Sequence, residues 1–275
     1  MSVIAISRGS LYAAKKLAEG LKERLGYRVI TREEVIDAAK RYGIEETGLG
    51  EKDIMKSHPP GYWHERSDQR LHYLTCFKTA LLDFAMKDPI VYHGNLAHVL
   101  LNEVPCVLRI RINAPLENRV SQLMEGEGIS REEAIENIKE MDRSRRQWTQ
   151  FLYDAEVFDP IFFDLVLNLD RVSIEDAIDL VVSESQKEPF QSTENSTKIL
   201  RDLHLSSLVK MNFYLLPPEK IKAQDLDVDV DSSTGKVVIS GNVPADELQD
   251  IKAEIENALS GVESIKEVNL DINPA

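Results

Sequence analysis

Between residue 1 and about residue 185, short runs of β-branched and apolar residues alternate with stretches of helical periodicity. That alternation constrains the fold more than any other feature of the chain. Val3–Ser7 reads as a first strand, and Leu11, Ala14, Leu17, Ala18 and Leu21 then recur at helical spacing across Ser10–Leu25. Val29–Ile30, Ile90–His93, Cys106–Asn113 and Leu165–Leu169 read as four more strands. Gln69–Met86, Pro115–Glu125, a stretch running towards Trp148 and Ser173–Ser183 read as helices. Thr31 with Glu34, and Ser130 with Glu133, are capping-box patterns. Residues 43–61 carry four glycines and two prolines and read as a long, mobile connection. Strands separated by helices pair in parallel, so the expected fold is a five-stranded, doubly wound α/β sheet. Ligands of such sheets sit beyond the carboxyl ends of the strands.

After about residue 185 the pattern changes. Residues 186–197 are polar, carry Pro189 and read as a linker. Beyond it, a helix over about 198–215 ends at Pro217-Pro218. Leu226, Val228 and Val230 alternate with Asp227, Asp229 and Asp231, a period-two strand with one acidic face. A turn at Gly235, a return strand Val237–Ser240, an amphipathic helix Ala245–Leu259 and a strand Val268–Ile272 complete an αββαβ module. The expected domains are therefore 1–185 and 198–275.

Charge narrows the partners. The 275 residues carry 33 Lys+Arg against 47 Asp+Glu, a net charge of −14, which repels phosphate backbones and anionic membranes. A small phosphorylated ligand remains compatible, because one pocket can be basic on an acidic protein. No apolar stretch approaches a membrane span, and the run Val3–Ile6 is too short for a signal-peptide core, so a cytoplasmic protein is expected. Cys76 and Cys106 make neither a disulfide framework nor a zinc site.

Three stretches could carry chemistry. The first strand-to-helix junction holds Gly9, Ser10 and Lys15, the parts of a phosphate loop in which backbone N–H groups and a helix dipole hold an anion and a lysine reaches its outer phosphates. Ala14 stands at the second glycine and Lys16 at the Mg²⁺-binding hydroxyl. On spacing alone, a phosphate loop and an ordinary capped helix are level. Asp142 to Trp148 clusters Arg143, Arg145 and Arg146, which suit the charge of a transferring phosphoryl group or, taken alone, a solvated helix face. Tyr92 to His98 lies at the end of the third strand, with His93 and Gly94 where a pocket is expected. No Ser/His/Asp or Cys/His constellation is visible.

Taken in order, several stretches resemble the cytidylate-kinase-like family, a branch of the P-loop nucleoside monophosphate kinases. They are Ile6-Ser7-Arg8-Gly9-Ser10 with Lys15, Thr31-Arg32-Glu33, Val91-Tyr92-His93-Gly94 and Arg109 to Arg119. Glu127 to Ala134, Asp142 to Trp148, Asp159-Pro160 and Phe163 to Val166 continue the series. The resemblance implies a five-stranded parallel sheet, a mobile acceptor region and an arginine-bearing lid. It implies ATP as donor with Mg²⁺, and CMP or another small phosphorylated compound as acceptor. It assigns Gly9, Ser10 and Lys15 to the phosphate loop, Arg119 to the donor side, and Arg143, Arg145 and Arg146 to the lid. Arg32, His93 and Gly94 fall beside the acceptor. Ala14, Lys16 and His93 depart from the family pattern, and a catalytically weak nucleotide-sensing protein is the alternative. Residues 199–272 resemble the BON domain through Leu226–Asp231, Gly235–Val243, Gly261-Val262 and Val268–Ile272. That resemblance implies an accessory or regulatory role and a protein partner.

Overall fold

The computed structural model describes residues 2–47, 67–94, 97–154, 156, 159–214 and 226–274. The chain divides into two compact units. The first takes its described residues from 2–37 and 84–196, the second from 38–47, 67–83 and 197–274.

The first unit is built on strands β1 (Val3–Arg8), β2 (Arg28–Thr31), β3 (Ile90–Gly94), β4 (Val107–Asn113) and β5 (Leu165–Asn168). All pair in parallel, in the order β2-β3-β1-β4-β5. β1 is buried along its whole length, as a central strand covered on both faces should be. Helices α1 (Leu11–Leu25) and α2 (Arg32–Ala39) follow β1 and β2, and α3 (Ser67–Lys87) precedes β3. A short α4 (Ala97–Leu100) precedes β4. Helices α5 (Leu116–Glu127) and α6 (Arg131–Tyr153) separate β4 from β5, and α7 (Ile174–Ser185) follows it. Ile4, Ile6, Leu17, Leu21, Ile110 and Val181 join the sheet, α1 and α7 in one apolar core. Helices α5 and α6 have a small core of their own at Val120, Ala134 and Ile138.

Local chemistry sets the boundaries. Ser130 Oγ accepts from the Glu133 N–H while the Glu133 carboxylate accepts from the Ser130 N–H, the capping box that starts α6. Thr31 and Glu34 make the same reciprocal pair at α2. Gly128 ends α5 at φ +67°, a left-handed cap that glycine adopts without strain.

The second unit carries α8 (Glu194–Tyr214), β6 (Leu226–Asp231), β7 (Lys236–Val243), α9 (Leu248–Leu259) and β8 (Glu267–Pro274). Its sheet runs β6-β7-β8, antiparallel across the first pair and parallel across the second. Val209 and Phe213 of α8 pack with Val237, Ile239, Ile251 and Ile255. Gly235 turns the β6–β7 hairpin at φ +76°, and a Cβ there would lie 2.9 Å from the Ser264 carbonyl oxygen. In the same unit Asp83 accepts from Arg41 and, at 2.5 Å, from the Tyr42 hydroxyl, and it lies 2.9 Å from His204 Nε2.

The stretch expected as a linker, 186–197, holds a 3-10 turn at Glu188–Phe190 and the first residues of α8. Within 43–61, a 3-10 turn spans Ile44–Thr47, and the rest of the expected mobile connection lies outside the described residues. So do Pro217 and Pro218.

Candidate functional site

Two residues, Gly9 and Ser10, separate the end of β1 from the start of α1. The Gly9 N–H donates to the Ile112 carbonyl at 2.8 Å. A Cβ on Gly9 would lie 2.1 Å from that oxygen, so glycine is demanded by the approach of β4. Ser10 caps α1: its Oγ accepts from the Ala13 N–H and its carbonyl from the Ala14 N–H. From Leu11 to Lys15 the expected phosphate loop is therefore helix. Ala14 is fully buried in the core that joins α1 to the sheet. Lys15 is 67% exposed, with Nζ 3.9 Å from Glu19. Lys16 lies over the Tyr12 ring at 4.7 Å.

The carboxyl ends of β1 and β4 hold a second, denser group of cations. Arg8 ends β1 opposite Ile112, and Arg111 pairs with Ser7. Both are buried, and burial holds both guanidiniums below the usual arginine range. Arg111 Nε donates to Asn113 Oδ1 at 3.0 Å, with the guanidinium 5.8 Å from the centre of the Phe163 ring. Arg119 of α5 makes two hydrogen bonds to Asp142 of α6, each 2.7 Å. One turn along α6, Arg145 Nη1 donates to the Arg8 carbonyl at 3.3 Å and lies 3.8 Å from Asp142 Oδ1. Burial pushes Arg145 down to about 10, and the charges of Arg8, Arg119 and Arg111 add to that against the opposing Asp142. Four guanidiniums thus gather where one carboxylate acts on Arg145. Buried positive charge gathered in this way is stabilised by an anion.

Of the three expected lid arginines, only Arg145 enters this group; Arg143 and Arg146 lie on the exposed side of α6. On the expected acceptor side, Arg32 opens α2 and is buried. His93, next to last in β3, is 7% exposed, its imidazole held below the usual histidine range by burial and then by Arg8. A Cβ on Gly94 would lie 2.1 Å from the Tyr92 hydroxyl oxygen, so Gly94 leaves room for that side chain. The charges of Arg8, Arg32 and Glu33 interact here.

Arg8, Arg111 and Asp142 were not among the expected site residues. The sequence held a signal for two of them: arginines within β-branched runs that a parallel sheet buries on both faces. Arg109 illustrates the alternative fate of such a residue. It is paired bidentately with Asp164, at 3.0 and 2.7 Å, and so is spent on structure.

The donor set suits an anion. Arg8 Nε is buried and, among the described residues, has no hydrogen-bond partner. Among the described residues no three His, Cys, Asp or Glu side chains converge.

A parallel sheet ordered β2-β3-β1-β4-β5, with a helical hairpin bringing arginines to its carboxyl end, defines a doubly wound α/β protein with a cationic site. Residues 3–171 match the cytidylate kinase-like family, and the chain belongs to that family. Over 183 residues it is 34% identical to the cytidylate kinase of Ignicoccus hospitalis, covering 66% of this chain and 97% of that protein. Over 100 residues it is 29% identical to the cytidylate kinase of Pyrococcus horikoshii, covering 36% of this chain and 51% of that one. The chain spans 40% to 58% of the length of further cytidylate kinases that it matches. A crystal structure of an uncharacterised protein from Eubacterium ventriosum shares the fold, with a TM-score of 0.51 at 18% identity over 66% of this chain and 97% of that one. No helix among the described residues is long and apolar enough to cross a membrane.

Proposed function

We propose that this protein binds ATP at the carboxyl end of its five-stranded sheet and transfers a phosphoryl group to CMP or another small phosphorylated acceptor. The observation that carries the reading is the convergence of Arg111, Arg119 and Arg145 from β4, α5 and α6 with Asp142 as the opposing carboxylate. Guanidiniums in that arrangement offer fixed, charge-assisted donors to phosphate oxygens, each contact worth about 1.5–3 kcal/mol. Phosphoryl transfer needs charge neutralisation and positioning more than covalent chemistry, and arginines supply both. Arg32 would hold the acceptor's phosphate. That phosphate is already ionised, so the scheme requires no general base. Movement of the α5–α6 hairpin would bring Arg145 onto the ligand and exclude water. Magnesium would arrive with the triphosphate, and no step is assigned to it.

A second reading, a nucleotide-sensing protein with little or no turnover, is favoured by the β1–α1 junction. There the backbone donors of Gly9, Ala13 and Ala14 are engaged within the protein rather than turned towards a ligand. In this reading the C-terminal αββαβ module, BON-like by its sequence, would report binding to a protein partner. A coupled assay over a panel of nucleoside monophosphates with ATP and Mg²⁺, run beside calorimetry, separates the two. Turnover with any acceptor supports transfer; ATP binding without turnover supports sensing; neither binding nor turnover removes both.

A further inference from the structure

We propose that Arg8 and His93 form a buried receptor for an ionised phosphate group of the bound nucleotide, in the role that the sequence gives to Lys15. This deepens the reading above and rests on it.

Arg8 is 9% exposed and His93 7% exposed. Arg8 Nε and His93 Nδ1 are both buried and, among the described residues, have no hydrogen-bond partner. Arg145 bonds to the Arg8 carbonyl and leaves the Arg8 guanidinium uncommitted by that contact. The strand register brings the two residues together. His93 pairs with Ile6, two positions before Arg8, so both belong to one side of adjacent strands and to the carboxyl end of the sheet. Arg8 acts electrostatically on His93, Tyr92 acts on Arg8, and Glu33 acts on both. Arg32 also faces Arg8, and Glu34 and Glu19 face His93.

The chemistry of the two atoms selects the ligand. Nε–H of an arginine only donates, and a positive guanidinium excludes a cation. A phosphate oxygen only accepts, and it can take both the Arg8 Nε–H and a His93 Nδ1–H. A buried guanidinium with an unmet donor lowers the stability of the empty protein, and a fold can retain that cost where a ligand compensates it. Lys15 has neither property: it is exposed and lies beside Glu19.

The test is calorimetry with ATP and with CMP on wild type, Arg8→Met and Lys15→Ala, alongside thermal melts without ligand. Arg8→Met keeps the side-chain length and removes the charge. The expected result is an unliganded Tm equal to or above wild type, with affinity for at least one nucleotide reduced tenfold or more. Lys15→Ala is expected to change affinity less than twofold. Arg8→Met that binds like wild type overturns the receptor and leaves the functional reading standing. A lowered Tm with unchanged affinity also overturns it, because Arg8 is then structural. Should Arg8→Met fail to fold, Arg8→Lys keeps the charge without Nε–H, and equal affinity in that variant overturns the inference. Wild type that binds neither nucleotide contradicts the functional reading instead. Inorganic phosphate then tests the receptor alone, and its failure to bind wild type overturns the receptor too.

Discussion

The guanidinium of Arg119 on α5 meets the carboxylate of Asp142 on α6 through two parallel hydrogen bonds of 2.7 Å. This pair ties the two helices of the hairpin at the point where the arginines converge. It also uses the carboxylate that offsets Arg145. Asp142→Asn should therefore separate stability from ligand affinity. Losing the charge-assisted bonds lowers stability by about 1–3 kcal/mol. Removing the negative charge raises ATP affinity by roughly threefold or more. Denaturant melts and calorimetry on one preparation check both signs.

Gly9→Ala should destabilise the fold even without any ligand. Its Cβ would meet the Ile112 carbonyl, a backbone atom of a central strand that cannot swing aside. Overpacking of this kind costs roughly 1–3 kcal/mol, read as a lowered urea midpoint in the nucleotide-free protein. A glycine needed only for a ligand would leave that midpoint unchanged.

His98 predicts an acid-sensitive first unit. Its ring lies 4.5 Å from Phe163, and burial, with Arg111 and Arg109 adding to it, pushes the imidazole down to about 4. The unfolded chain takes up this proton near pH 6.5, and the folded chain only near pH 4. The stabilisation is thus complete above about pH 6.5, falls as pH falls, and levels off below about pH 4. Between pH 7 and pH 5 this one group removes roughly 2 kcal/mol. His98→Phe should flatten that part of the stability profile, as followed by urea melts at the two pH values.

Asp83 holds the corresponding position in the second unit. It joins the 3-10 turn of Arg41 and Tyr42 to α3 and, through His204, to α8. Burial opposes its ionisation, but hydrogen bonds from His204 and Tyr42 and the charges of His204 and Arg41 outweigh burial and hold its carboxyl below the usual range. Its stabilisation is present above the unfolded carboxylate value and is lost as pH falls through the lower folded one. Asp83→Ala leaves several donors unmet and should cost roughly 2–4 kcal/mol at neutral pH, measurable by hydrogen exchange in α8.

The sequence carried most of the first unit's fold, because each element announces itself locally. Thr31 with Glu34, and Ser130 with Glu133, mark helix starts through bonds three residues apart. The acidic alternation of Asp227, Asp229 and Asp231 marks β6 in the same way. The site was less legible because it is made by distant contacts. Nothing near Arg109 says that Asp164, 55 residues away, pairs with it. The spacing Gly9 to Lys15 suits a loop, yet Ser10 caps a helix that begins at Leu11 and carries Lys15 outward. Arg143, Arg145 and Arg146 look equivalent in sequence, and only the helical turn that aligns Arg145 with Asp142 separates them.

The most direct measurement of the central claim is calorimetric titration of ATP into the wild-type protein and into Arg145→Met, at low and at high salt. Charge-assisted contacts with buried arginines predict wild-type binding that weakens as salt rises, and a loss of tenfold or more in the variant, which should remain as stable as wild type. ATP binding of equal strength in both proteins, or none in wild type, would contradict the account.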